Sequence, residues 1–216
     1  NDVTYLIKRY GTRSQRDDWY ALCNIFDHSD LELQLTEILN PPTEQALVEQ
    51  KIDLPDEFNT LTSNKLSASA LPALSYLRRR DIEREEIITW KIGYCSSGLY
   101  KDRIIIPSFD KDGDINYFIA RSYVGHSWRY LNPPAKKDVI FNELFVDWDE
   151  PITLVEGVFD AIAAGENAIP VLGSTLRDKT KLFQAIALND TPVYLAFDQD
   201  AEKKTGQIIK NMLYYD

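Results

Sequence analysis

The chain has 216 residues, 44% of them hydrophobic, enough to bury a sizeable core in one large domain or two smaller ones. Its formal charge of −10 argues against tight general binding to duplex DNA, because that affinity comes chiefly from neutralising phosphates. There is no long apolar run and no signal peptide, so a soluble, cytoplasmic protein with no membrane partner is expected. Two cysteines, Cys23 and Cys95, and two histidines, His28 and His126, are too few and too scattered for a zinc ribbon.

In chain order, residues 2–10 begin as a helix. Residues 29–64 carry helical periodicity, with Leu31, Leu33, Leu35 and Ile38, then Ala46, Leu47 and Ile52, interrupted by Pro41 and Pro42. This stretch reads as a packed amphipathic helix, the alternative being a partner-binding one. Residues 60–68 are polar and rich in Ser and Thr, the composition of a linker. Residues 73–92 read as helix, turn and helix, leading into a strand at Ile92, Gly93 and Tyr94. Two apolar runs, 102–110 and 115–122, flank Lys111–Asp112–Gly113–Asp114, which is a hairpin signal. Arg129, Tyr130, Leu131 and Asn132 follow, and then two prolines. Residues 152–160 and 193–200 are short apolar runs that end abruptly in carboxylates, with a third run at 168–174 between them. Residues 206–215 read as a final helix. No internal repeat is found.

The carboxylates carry the chemistry. In open α/β sheets, ligands bind at the C-terminal edge of the strands. Glu156 and Asp160 are four apart, within about one helical turn if Gly157 opens a helix. Asp198 and Asp200 are two apart and share a face on extended backbone. Taken singly, each acid reads as a helix cap or an Asx turn. If the strands are neighbours, four carboxylates converge, and such a cluster is tolerated only when some are protonated or a cation neutralises them. All-oxygen ligation of that density suits Mg²⁺ or Mn²⁺. Upstream, Arg103, Arg121 and Arg129 lie in or beside β elements, and Tyr130 offers a ring. Guanidinium groups pair bidentately with phosphates, and aromatic platforms stack single-stranded bases. Arg103, on a hairpin, also reads as a solvated or salt-bridged surface residue.

These motifs resemble two nested families. Glu156–Gly157 with Asp160, then Asp198-x-Asp200, resemble the Toprim fold over residues 151–216. Tyr76-Leu-x-x-Arg80, Ile92-Gly93-Tyr94, Asp102-Arg103-Ile104-x-x-Pro107, the Gly113 turn, the strand ending at Arg121 and the Arg129-Tyr130-Leu131-Asn132 element resemble the N-terminal half of DnaG-type primase cores, from residue 71 onward. The resemblance implies an α/β protein: a helical segment and linker over 1–68, an α+β subdomain with a basic strip over 69–148, and a Toprim Rossmann-like parallel sheet over 149–216. It implies a DNA-directed RNA polymerase of the primase type, and the compactness of the chain suggests a phage kind, active in the host-cell cytoplasm. Glu156, Asp198 and Asp200 are the catalytic metal ligands it implies, with Asp160 binding a second ion. Arg121, Arg129 and Tyr130 would contact template or incoming triphosphate. Where the family usually carries a Lys after Ile140 and Phe141, this chain has Asn142 and Glu143, and Lys136 and Lys137 are expected to supply the charge instead. Single-stranded DNA, ribonucleoside triphosphates and a replicative helicase are the implied partners. A zinc-binding ribbon is expected upstream of this chain, and a further acidic cluster beyond Asp216. A Toprim nuclease would use the same acids but leaves residues 71–132 unaccounted for. A non-catalytic replication adaptor is the third reading, which has no need to hold repelling carboxylates together.

Overall fold

The first sheet is built from hairpin chemistry. In the computed structural model, which describes residues 51–215 other than 126–127, 174–175, 178 and 199–200, β1 (Phe58–Thr60), β2 (Gly93–Cys95), β3 (Arg103–Phe109) and β4 (Ile115–Ser122) lie in that order, every pair antiparallel. The β3–β4 turn forms where the sequence predicts it. Asp110 Oδ1 accepts from the backbone N–H of Asp112 at 3.0 Å and of Asp114 at 2.9 Å, and Gly113 takes φ +87°, a conformation open to glycine. At Ser108/Phe109 the register slips in a bulge. There Ser108 Oγ donates to Asn116 Oδ1 at 2.6 Å and accepts from Asn142 N–H at 2.9 Å, while Asn142 Oδ1 accepts from Phe109 N–H at 3.2 Å. This buried knot ties the segment around Asn142 to the sheet, which makes Asn142 a structural residue.

β1 departs from the sequence reading, which has helical periodicity running to Asn64. Ile52 N–H donates to Ile115 O at 2.9 Å, β1 pairs with β2, and Leu61 is fully buried. A three-residue edge strand held by backbone bonds has no alternating apolar pattern to announce it. The polar stretch after it is tied down by Arg84, whose guanidinium donates to the carbonyls of Leu61, Thr62 and Ser63 at 2.6–3.3 Å. Gly93 makes the β1–β2 approach possible, since a Cβ there would lie 2.2 Å from the Phe58 ring and 2.6 Å from the Asn59 carbonyl oxygen. The predicted helix at 2–10 and most of the 29–64 run fall outside the described residues.

Two helices, α1 (Leu71–Arg78) and α2 (Arg84–Thr89), cover the sheet. Pro72 sits in the first turn of α1, where a missing N–H is harmless, and Glu86 accepts from the Glu83 N–H at 2.9 Å at the start of α2. Ala73, Leu77 and Ile87 enter one core with Ile104, Ile106, Tyr117 and Ile119.

The second sheet is parallel. β5 (Ile152–Val155), β6 (Ala168–Pro170) and β7 (Val193–Ala196) take the order β6-β5-β7, with α3 (Val158–Ala164), α4 (Lys181–Asn189) and α5 (Glu202–Tyr215) completing the chain. Ile152, Leu154, Ile169, Leu182, Phe183 and Ile208 form its core. α3 faces the other way as well: Val158, Phe159 and Ile162 join the core of the first sheet. That shared helix knits both sheets into one compact unit, Glu49–Asp216. The α/β class is the one the sequence predicts. Among the described residues no helix is long and apolar enough to cross a membrane.

Candidate functional site

The acids emerge from the central and edge strands of the parallel sheet. β5 and β7 are direct neighbours with Val155 opposite Ala196, so Glu156 leaves β5 one residue past that pair and Asp198 leaves β7 two residues past it. Strands in a sheet lie about 4.8 Å apart, which brings both carboxylates to one edge. Glu156 is half-buried and Asp198 exposed. Gly157 is the residue that caps α3, and Asp160 Oδ2 accepts its N–H at 3.0 Å. Asp160 therefore does what a lone acid in the first helical turn does, and among the described residues its other oxygen has no hydrogen bond. Asp200 lies outside the described residues. Among the described residues no three His, Cys, Asp or Glu side chains stand close enough to hold a metal ion.

Beside Asp160 opens a cleft of about 630 Å³ lined by Tyr76, Arg79, Arg80, Tyr123 and Phe159 as well. Tyr76 lies in α1 and Arg80 in the turn two residues past its end. Arg80 Nε donates to the Tyr76 hydroxyl at 2.8 Å, and its guanidinium carbon lies 4.7 Å from the centre of the Phe159 ring. The Tyr76 and Phe159 rings meet edge to face at 6.3 Å. Arg121, on β4, donates from Nε to the same hydroxyl at 3.1 Å, and its guanidinium carbon sits 4.7 Å from the centre of the Tyr130 ring. Two arginines from separate elements thus converge on one phenol oxygen. Sequence reasoning misses Tyr76, Arg79 and Arg80, although the Tyr76-Leu-x-x-Arg80 spacing carries the signal.

The remaining basic residues divide by exposure. Arg103 is only 6% exposed and donates to the carbonyls of Trp128 at 3.0 Å and Arg129 at 3.3 Å. Burial pushes its guanidinium below its ordinary pKa. Arg129 is exposed, its carbonyl accepting from the Ser122 N–H at 2.9 Å, and Tyr130, bridged to Arg121 through the backbone, is 46% exposed. Lys136 and Lys137 are exposed on the segment that follows. Arg103 thereby fixes the backbone that displays Arg129 and Tyr130.

Neither the protein-family models nor the curated proteins yield a match to this sequence. Solved structures do. A DnaG primase catalytic domain bound to single-stranded DNA superposes with a TM-score of 0.56 at 19% identity, over 68% of this chain and 61% of the other. The Escherichia coli primase catalytic core gives 0.54 at 18% identity, over 68% and 62%. The RNA polymerase domain of Mycobacterium tuberculosis primase DnaG gives 0.54 at 16% identity, over 67% and 65%. The chain therefore spans under two thirds of the length of the cores it resembles. Its fold is that of a DnaG-type primase catalytic core.

Proposed function

We propose that this chain is the catalytic core of a DNA primase, which joins ribonucleotides into short RNA primers on a single-stranded DNA template. The observation that carries the reading is a primase-core fold that combines carboxylates at the C-terminal edge of its parallel sheet with an arginine-lined cleft beside Asp160. Phosphoryl transfer needs little covalent help from protein; it needs positioning and charge stabilisation. Arg80 and Arg121 hold the triphosphate. Arg129 contacts the template backbone, and Tyr130 stacks a base without reading its identity.

Glu156 and Asp198, with Asp160 and Asp200, would hold Mg²⁺ or Mn²⁺. The donor chemistry suits such an ion, being all hard carboxylate oxygen, and Glu156 and Asp198 leave the ends of two adjacent strands, although Glu156, Asp160 and Asp198 do not themselves close into a three-acid cluster. Held by those residues, a divalent cation would supply neutralisation of the charge that develops in phosphoryl transfer. In this reading residues 149–216 form the Toprim metal-binding domain, Lys136 and Lys137 add to the basic strip, and the working partner is a replicative helicase. The net charge of −10 makes template binding weak and transient.

The test is incorporation of labelled ribonucleotides on single-stranded DNA with Mg²⁺ or Mn²⁺, scoring degradation of the template in parallel. Template-dependent RNA supports the reading. Template cleavage without synthesis assigns the same acids to a nuclease, and neither product with either metal overturns both.

A further inference from the structure

Tyr76 is more than a spacer in the cleft. A phenol oxygen offers one donor and two lone pairs. Arg80 Nε at 2.8 Å and Arg121 Nε at 3.1 Å occupy both lone pairs, and among the described residues the hydroxyl proton has no acceptor. Neither guanidinium makes another hydrogen bond among the described residues, so the Nη groups of both remain available. Each is also braced by a ring, Phe159 for Arg80 and Tyr130 for Arg121, at 4.7 Å in both cases. An O–H group flanked by two bound cations has its positive end directed away from them. A group that can occupy the remaining direction must accept a hydrogen bond and tolerate two positive neighbours, which defines an oxyanion. The charge of the cleft agrees: Arg79 and Arg80 line it against the single carboxylate of Asp160, whose Oδ2 is already held by the Gly157 N–H.

We infer that the Tyr76 hydroxyl is an anion-orienting group, accepting from Arg80 and Arg121 to fix the distance between them and donating its own proton to a phosphate oxygen in the cleft. Only the identification of that phosphate with a nucleoside triphosphate rests on the primase reading. The bland account gives Tyr76 a packing role against Phe159, through its ring alone. Tyr76→Phe separates the two, because it keeps the ring and deletes both hydrogen-bonding functions.

The experiment is calorimetric titration of the full chain with inorganic triphosphate at low salt, followed by the same titration of Tyr76→Phe, Arg80→Lys and Arg121→Lys. Tyr76→Phe should bind about tenfold to a hundredfold more weakly, the equivalent of one hydrogen bond to a charged group. The dependence of its affinity on salt should stay that of the parent, because no charge is removed. The two lysine variants keep the charge but cannot share the phenol oxygen through a guanidinium edge, and each should also lose affinity. Should Tyr76→Phe fail to fold, as judged by its melting curve, the lysine pair decides. Absence of triphosphate binding by the parent, an affinity of folded Tyr76→Phe within twofold of the parent, or, where that variant does not fold, affinities within twofold in both lysine variants, would overturn the inference. Ribonucleotide incorporation is measured separately. Weakened triphosphate binding in Tyr76→Phe with no RNA product from the parent would sink the primase reading and leave the anion site standing. Normal synthesis with unchanged kcat and KM in Tyr76→Phe would do the reverse.

Discussion

Replacing Arg103 with Met deletes the guanidinium and keeps an apolar stem of similar reach. Two hydrogen bonds from a charged donor disappear, to Trp128 O at 3.0 Å and Arg129 O at 3.3 Å. Bonds of that kind contribute about 1.5–3 kcal/mol each, and the longer of these two belongs at the low end, so the gross loss is about 3–4.5 kcal/mol. Part of it returns. Arg103 is 6% exposed and among the described residues has no ion-pair partner, so burying its charge carries a desolvation cost that Met does not incur. The net effect is a loss of about 1–2 kcal/mol, or a Tm lower by about 2–8 °C for a domain of this size. The functional assay is binding to an oligothymidylate at a series of salt concentrations. Arg103→Met should weaken binding modestly, by loosening the 128–130 segment, with the salt slope unchanged. Arg129→Ala should reduce the slope by about 0.7, the contribution of one phosphate contact on a single strand. If Arg103→Met reduces the slope as much as Arg129→Ala does, Arg103 is a phosphate ligand, and if it leaves Tm untouched, the anchoring argument fails.

Asp160→Ala removes the acceptor for the Gly157 N–H and should cost about 1 kcal/mol, whereas Asp160→Asn keeps an acceptor oxygen and should melt like the parent. If both variants lose primer synthesis equally, the carboxylate charge matters beyond the cap; full synthesis by Asp160→Asn would confine it to capping. Glu156→Gln and Asp198→Asn should each abolish synthesis without lowering Tm, since a neutral amide is a poorer ligand for a hard cation, and near-normal product from either would remove it from the ligand set. Burial raises the Cys95 thiol from 9.0 to about 12 and the Tyr123 phenol from 10.0 to about 12. For both groups the unfolded chain loses its proton first as pH climbs, so their contribution to stability is complete below about pH 9 and declines between pH 9 and 12. Urea unfolding at pH 8, 9 and 10 should show that decline, and Cys95→Ala should flatten it; rapid alkylation of Cys95 in the native protein at pH 8 would contradict the burial.

What the sequence determined is whatever depends on neighbours along the chain. The β3–β4 hairpin follows from two apolar runs about an Asp-Gly turn, and Asp110 closes that turn with its own side chain. Glu156 and Asp198 are legible because a short apolar run that stops at an acid marks the mouth of a parallel strand wherever the sheet lies. Even the capping of α3 by Asp160 is a three-residue affair. Pairing was decided elsewhere. β1 carries no periodicity of its own and exists because β2 offers it an edge, with Gly93 letting the Phe58 ring approach. Arg103 and Arg121 look alike in sequence, each on a strand of the same hairpin, yet one is buried under the 128–130 backbone while the other reaches Tyr76, 45 residues away. An arginine side chain is long enough to serve as anchor, ion-pair member or phosphate ligand, and nothing in its flanking residues selects among them. The selection is made by which carbonyls, rings and hydroxyls the fold brings within about 3 Å of its five N–H groups, and that is a property of the tertiary structure alone.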